Sequence, residues 1–342
     1  MAFNATLRPS GHTYAVPEGE TLLQAALDAG LTVPYGCRNG ACGACKGKVL
    51  EGRVDLGGAQ DSALSPADRD EGLLLFCCAR PLTDVIVECR EVRSLQDIPV
   101  RTLPCRVQKM EKLAPDVMAL YLKLPANERL QYLAGQYLEF LLKDGRRRAF
   151  SIANAPHDDE LLELHVRMVP GGQFTGHVFA TMKERDILRI EGPLGSFFLR
   201  EESKKPAVLL AGGTGFAPIK ALVEHAIHNH MTRPMHVYWG ARDRTGLYLP
   251  DLGGAWAGAH AHITYVPVLS DATPEDAWAG RTGLVHRAVL EDHPDLSGFQ
   301  VYACGAPAMI DAARADFTAA GLPSDEFFAD SFTFANDPGS QP

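Results

Sequence analysis

No run of eighteen or more apolar residues occurs in this chain of 342, which excludes a membrane-spanning helix. The N-terminal stretch MAFNATLRPSGHTY has no apolar h-region, so no secretory signal is expected. Basic charge is in deficit. The 33 Lys and Arg against 42 Asp and Glu leave a net charge of -9, which argues against nucleic acid as a partner. No Cys-x-His pair suggests a Rieske centre, no haem-ligand motif occurs, and no internal repeat or low-complexity tract is visible. Cysteine, however, is not scarce. Eight cysteines without a signal point to a cytoplasmic, metal-binding protein rather than one stapled by disulfides. A hydrophobic fraction of 46% with 22% charge is ordinary for a soluble protein, and the length suits two or three domains.

Cys37, Cys42 and Cys45 fall in the segment GCRNGACGAC, a C-x4-C-x2-C loop, and Cys77 stands well downstream. That spacing is the plant-type [2Fe–2S] pattern. Gly36, Gly40, Gly43 and Gly47, with Ala41 and Ala44, leave room for a backbone that wraps a small inorganic core. Inward-turned N–H groups then reach the sulfurs and tune the potential. A zinc site of four cysteines usually takes two short Cys-x2-4-Cys knuckles, and no second knuckle surrounds Cys77. Arg38, Lys46 and Lys48 in the same segment read as solvated charge, with a basic rim for an acidic partner as the sharper alternative.

Three segments follow one another. In the first, Phe3 to Leu7 and His12 to Val16 predict strands about a Pro9–Ser10–Gly11 turn. Thr21 with Gln24 predicts a capping box, Leu22, Leu23, Ala26 and Leu27 an apolar helix face, and Gly30 the stop. With strands at 47–50 and 85–89 these elements suit a β-grasp domain over residues 1–93, and the polar stretch 91–102 reads as a linker. The second, 103–200, is strand-rich (107–110, 117–124, 137–142, 161–169, 187–190) with Pro and Gly punctuation, which favours a small antiparallel β-barrel. The third, 201–342, alternates short apolar runs at 207–211, 236–239, 263–268 and 301–303 with helical stretches at 217–229 and 307–320. That is the pattern of a Rossmann-like parallel α/β domain.

Several local signals sit on these segments. In AVLLAGGTGFAPIKAL, Gly212, Gly213, Thr214 and Gly215 follow a strand directly and open a helix, where backbone N–H groups and the helix dipole favour phosphate. Pro218 stands where the dinucleotide fingerprint would have its third Gly, so that fingerprint is not met. In RRAFSIANAP, Arg148 offers a cationic fork for a pyrophosphate, Phe150 an apolar wall and Ser151 a hydroxyl donor, a set that suits a flavin. Gly171, Gly172 and Thr175 make a further small-residue turn with a hydroxyl. In YACGAPAMI, Cys304 and Gly305 end a strand at the carboxyl edge of the sheet, where ligands bind in open α/β folds.

Residues 1–93 resemble plant-type ferredoxin domains, and 103–342 resemble the ferredoxin–NADP reductase superfamily, a flavin barrel followed by a nicotinamide domain. The run GLLLFCCARP resembles the family's fourth-ligand segment, which implies Cys77 as ligand and Cys78 as its apolar neighbour. The resemblance implies Arg148 on the phosphates of FAD, Ser151 near flavin N5, and Gly171, Gly172 and Thr175 as a second pyrophosphate turn. It implies nicotinamide contacts from Gly212 to Pro218 and from Cys304, Gly305, Pro307 and Met309. Ala306 departs mildly, standing where many members carry Pro or Ser. Asp330, in EFFADSFTF, falls in a region that lies by the flavin in relatives and is a candidate for handling a proton.

The ferredoxin-first order resembles reductase components of multicomponent oxygenases and, equally, CDP-6-deoxy-glucoseen reductases of deoxysugar synthesis. The resemblance implies an electron-transfer enzyme. A nicotinamide gives two electrons as hydride and a [2Fe–2S] cluster takes one, so FAD must stand between NADH and the cluster, with an acceptor protein beyond. The other alternative is a non-catalytic electron carrier. Asp271, after Ser270 in VPVLSDA, predicts NADH over NADPH, because a carboxylate there bonds a ribose 2′-OH and repels a 2′-phosphate.

Overall fold

The computed structural model of the chain describes residues 2–31, 33–89 and 98–332. They fall into two compact units: the described residues up to 99 with 195–197 and 329–332, and the remainder. Among the described residues no helix is long and apolar enough to cross a membrane.

In the first unit, β1 (Ala2–Arg8) and β2 (Thr13–Pro17) form the expected hairpin. Period-two alternation buries Ala5 and Leu7 on one strand and Tyr14 and Val16 on the other. Helix α1 (Leu22–Asp28) starts at Thr21, whose side chain accepts from the Gln24 N–H at 3.2 Å. Only this half of the capping box forms. The Gln24 amide donates to Asp28 at 2.7 Å and accepts from the Arg38 guanidinium at 2.8 Å, so two charged partners outcompete the helix start. Gly30, at φ 73°, ends the helix as expected.

Beyond it run β3 (Lys46–Glu51), β4 (Val54–Asp55), α2 (Pro66–Asp70), β5 (Leu73–Leu75), β6 (Arg80–Pro81) and β7 (Val85–Glu88). The five-stranded sheet has the order β2-β1-β7-β3-β5, with β1 and β7 parallel. Leu22, Leu23 and Ala26 of α1 share one core with Val16, Phe76 and Val87, which is the β-grasp arrangement. The linker expected at 91–102 lies mostly outside the described residues, but Arg101 and Thr102 already belong to the next strand.

The second unit begins with β8 (Arg101–Ala114), β9 (Val117–Lys123), β10 (Tyr137–Leu141), β11 (Arg147–Ser151), β12 (Leu162–Arg167), α3 (Gln173–Ala180) and β13 (Ile187–Leu194). Six antiparallel strands take the order β11-β10-β13-β8-β9-β12. The two edge strands then meet. Ile152 bridges Leu164, and the Ala153 N–H donates to the Glu163 carbonyl at 2.8 Å, which closes the sheet into a barrel. The stretch expected as a bare turn at Gly171–Thr175 is a turn running into α3, a helix whose start the two glycines conceal in the sequence.

The chain continues through β14 (Ala207–Gly212), α4 (Phe216–His228), β15 (Met235–Ala241), α5 (Leu252–Ala259), β16 (Ile263–Leu269), β17 (Arg281–Thr282), α6 (Val285–Asp292), β18 (Gln300–Gly305), α7 (Pro307–Ala319) and β19 (Phe327–Ser331). The sheet order is β17-β16-β15-β14-β18-β19, with β14, β15, β16 and β18 parallel. Residues 207–211 and 300–305 are buried throughout, as a parallel sheet covered on both faces requires. Strand order reverses about β14, so the crevice for a ligand opens between the carboxyl ends of β14 and β18.

Candidate functional site

The four thiols come together in the first unit. The Cys37 N–H points at the Cys42 sulfur at 3.4 Å, and the two thiols hydrogen-bond one another. Cys45 is bonded in the same way to Cys77. Gly40 shows why the loop needs its glycines. It stands at φ 81°, and a Cβ there would lie 2.6 Å from the Cys78 sulfur. Cys78 packs against this glycine, and its sulfur lies 3.7 Å from that of Cys77, which is also bonded to Cys45.

The thiols cannot all ionise together. The hydrogen bond with Cys42 pulls Cys37 down to about 6, and the same bond, with burial, pushes Cys42 up. Cys77 is pushed up to about 12, first by its bond with Cys45. Four thiolates here need a cationic core between them. Their hydrogen bonds join them two by two, Cys37 with Cys42 and Cys45 with Cys77. Two pairs suit two metal positions and fit a [2Fe–2S] cluster better than one zinc.

Within the same unit the Tyr35 N–H donates to Ser196 Oγ at 2.8 Å, and Ser196 Oγ–H returns to the Tyr35 carbonyl at 2.9 Å, which fixes the start of the loop. Asp330 is buried, and its Oδ1 lies 4.0 Å from where a Cβ on Gly36 would stand, next to Cys37. Of the basic residues in this segment, Lys46 is paired with Asp68 at 3.1 Å and Arg38 with Gln24.

In the barrel, β11 carries Arg148, Phe150 and Ser151 at its end. Phe150 packs edge-on against Phe140 with centroids 5.7 Å apart and against Phe174 at 5.5 Å. Phe174 lies in the first turn of α3, so the Arg-x-Phe-Ser strand and the turn of Gly171, Gly172 and Thr175 are brought to one place. Thr175 is turned inward: its hydroxyl accepts from the Val169 N–H at 3.1 Å. A Cβ on Gly172 would stand 2.7 Å from that oxygen.

The glycine turn and the Cys304 strand end also meet. A Cβ on Gly215 would lie 2.1 Å from the Cys304 carbonyl oxygen, so only glycine lets the two backbones pass. Gly212 and Gly305 are similarly crowded, by Met309. These glycines therefore also meet a packing demand. Pro218 sits buried in α4, and Cys304 is fully buried. Asp271 lies on the exposed rim after β16, its N–H bonded to the Arg242 carbonyl and its carboxylate to the Ser270 hydroxyl, each at 2.9 Å.

Sequence reasoning missed Glu163, His165 and Arg167, though ELHVR alternates these polar residues with apolar ones that enter the barrel. Arg167 Nη1 would touch a Cβ on Gly213 at 3.0 Å, and its Nε and Nη2 are buried without a hydrogen-bond partner. Asp116, at 3.3 Å, balances its charge only in part. A guanidinium with unmet donors beside a glycine turn fits an anionic group such as a dinucleotide phosphate.

Three family models match in order along the chain. They are a 2Fe-2S iron-sulfur cluster binding domain over 5–82, an oxidoreductase FAD-binding domain over 104–199 and an oxidoreductase NAD-binding domain over 209–315. A CDP-6-deoxy-L-threo-D-glycero-4-hexulose-3-dehydrase reductase of Yersinia pestis is 43% identical across 97% of this chain and 99% of its own. The reductase component DmpP of phenol 2-monooxygenase from a Pseudomonas species is 36% identical across 98% and 96%. Among solved structures, the cytochrome P450 reductase GcoB of Amycolatopsis superposes with a TM-score of 0.78 at 36% identity, covering 98% of this chain and all of that one.

Proposed function

Since this chain belongs to the family of iron–sulfur flavoprotein reductases with the ferredoxin-reductase fold, we propose that it draws electrons from NADH and hands them singly to a separate acceptor protein. FAD, when bound, accepts a hydride and releases electrons one at a time, which is the form in which a [2Fe–2S] cluster carries them. The observation that carries the reading is the two thiol pairs, Cys37 with Cys42 and Cys45 with Cys77, in a chain that also bears the barrel and the α/β sheet.

The residues divide the work by domain, which we take as 1–93, 103–200 and 201–342. Cys37, Cys42, Cys45 and Cys77 hold the cluster. Arg148 and the turn of Gly171, Gly172 and Thr175 bind the flavin phosphates, Phe150 walls the ring, and the Ser151 hydroxyl donates its proton towards N5. The turn Gly212, Gly213, Thr214, Gly215 and Pro218 of α4, with Arg167 beside it, receives the dinucleotide, and Asp271 holds the ribose. Cys304 and Gly305 line the nicotinamide position, the fully buried Cys304 excluding water from it. Asp330, against Gly36, is the group we assign to hold a proton near the cluster loop.

Two acceptors are in play, an oxygenase component and a deoxysugar dehydratase. The 43% identity to a dehydrase reductase favours the second, against 36% to a phenol hydroxylase component. A non-catalytic carrier has no use for the FAD- and NAD-binding domains that this chain carries. The eight cysteines, all thiols, and the demand for NADH suit the cytoplasm.

The test is an anaerobic NADH titration of the purified protein, followed by absorbance and EPR. Bleaching of a flavin band together with a rhombic signal from a reduced cluster is the expected result. A flavin that bleaches beside an intact cluster left oxidised would overturn the onward transfer.

A further inference from the structure

Strand β12 has two faces. Leu162, Leu164 and Val166 enter the barrel core, and Glu163, His165 and Arg167 line the other side. Each of the three polar residues meets a different part of the α/β domain. Glu163 accepts from the Lys220 ammonium of α4 at 3.0 Å, His165 Nδ1 lies 3.0 Å from the Tyr248 hydroxyl, and Arg167 faces Gly213. Lys220 is only 9% exposed, and it also reaches Glu224 at 3.0 Å and the Ala153 carbonyl at 3.3 Å, two residues beyond Ser151.

The chain of contacts continues. Burial holds the pKa of His165 below its usual value, so the ring is neutral. Its Nε2–H then donates to Glu163 Oε1 at 2.8 Å, leaving Nδ1 to accept from Tyr248. Tyr248 meets Trp239 edge-on with centroids 5.1 Å apart. Trp239 stacks on Phe216 at 3.7 Å, and its indole N–H donates to the Gly213 carbonyl at 2.9 Å. Two routes thus run from β12 to the glycine turn, one through Lys220 and one through Tyr248 and Trp239.

An ammonium buried between two carboxylates is a poor source of stability, since a well-packed apolar contact serves as well or better. What it supplies is a direction. We propose that Lys220 is a positioning residue for hydride transfer: it ties the helix that starts at the dinucleotide turn to the strand end that carries Ser151, and so sets the nicotinamide against the flavin. This rests on the reductase reading above.

The experiment uses the full-length holoprotein as wild type, Lys220→Met, Lys220→Arg and Glu163→Gln. FAD content and cluster EPR are checked first, and flavin reduction is then followed anaerobically in a stopped-flow instrument with NADH and with NADH deuterated at C4. Lys220→Met is expected to lower the limiting rate at saturating NADH between about 10- and 100-fold. The NADH dissociation constant should move less than about threefold. The long-wavelength charge-transfer absorbance of the NADH–flavin complex should weaken, and Lys220→Arg should restore most of both. If Lys220→Met does not fold, Glu163→Gln decides, because it keeps Glu224 and Ala153 as partners of Lys220. A wild-type limiting rate in either FAD-loaded variant would overturn the proposal. A wild-type protein that NADH does not reduce would instead sink the reductase reading.

Discussion

The cysteine loop of the first unit and the polar seam along β12 both crowd ionisable groups together, yet they end in opposite states. The loop is left divided: the hydrogen bond between Cys37 and Cys42 pulls the first down and pushes the second up, and Cys77 is pushed up first by its bond with Cys45. The seam completes itself. Burial alone would raise Glu163, but His165 and Lys220 hold it down at about 2. Burial likewise works against Lys220, and the two carboxylates more than offset it. A group that finds its partners inside the chain is part of the frame, and one that does not is waiting for a ligand. Arg167 is informative because it lies on the seam yet keeps two donors unmet beside Gly213.

The largest effect expected from breaking this contrast is at the loop. Cys42→Ser removes one of a pair, and we expect loss of the rhombic EPR signal and of the cluster iron. Delivery to a one-electron acceptor should fall by more than about 100-fold, beyond what loss of an outer-shell partner costs. Flavin reduction by NADH, which needs only the second unit, should persist. At the seam the loss should appear as stability instead. Glu163→Ala leaves Lys220 buried with Glu224 and the Ala153 carbonyl as partners and should cost about 3–5 kcal/mol in denaturant unfolding of the second unit, with the cluster signal unchanged. A cost below about 1 kcal/mol would put the pair on the level of exposed ion pairs and dissolve the distinction.

Legibility in the sequence follows the same division. Cys37, Cys42 and Cys45 sit within one loop, so spacing alone announced them, and the apolar run at 207–211 announced β14 as a parallel strand. Helix α3 was hidden because Gly171 and Gly172 look like a turn and are also its entry. The capping box at Thr21 failed because Asp28 and Arg38 take up Gln24, and Arg38 comes from the loop, beyond the reach of a local pattern. Lys220 and Glu163 stand 57 positions apart, and no local rule couples them. Only the alternation of ELHVR hinted that β12 has a second, polar face. Gly215 also has to clear the Cys304 carbonyl, a demand that comes from a strand far away in sequence and that no local pattern shows.

A pH titration sharpens the contrast with a smaller effect. The pKa of Glu163 in the folded protein lies near 2 against an ordinary 4.5, so its stabilisation is fully present above about 4.5 and is lost as pH falls towards 2. By linkage that shift is worth roughly 3 kcal/mol at most. Burial raises Glu224, whose contribution has the opposite sign and takes back part of it. Stability of the second unit measured between pH 6 and pH 3 should therefore fall less steeply in Glu163→Gln than in the wild type. Equal slopes would show that Glu163 is not held in its charged form by Lys220 and His165.

Asp271 belongs to neither class, and its expected effect is the smallest. It is exposed on the rim after β16, its carboxylate accepting from the Ser270 hydroxyl and its N–H donating to the Arg242 carbonyl. Replacing it should leave folding, FAD content and the cluster signal alone. The carboxylate can still act on what arrives there, accepting from a ribose 2′-OH and repelling a 2′-phosphate. Asp271→Arg reverses both terms at once, so the ratio of kcat/KM for NADH to that for NADPH should drop by at least about tenfold, or about 1.4 kcal/mol. On the proposed assignment of Asp271 to the ribose, the change should appear mainly in KM. An unchanged ratio would move the discrimination elsewhere on the crevice. A fall in kcat with KM constant would instead mean that the rim, like Lys220, takes part in setting the nicotinamide in place.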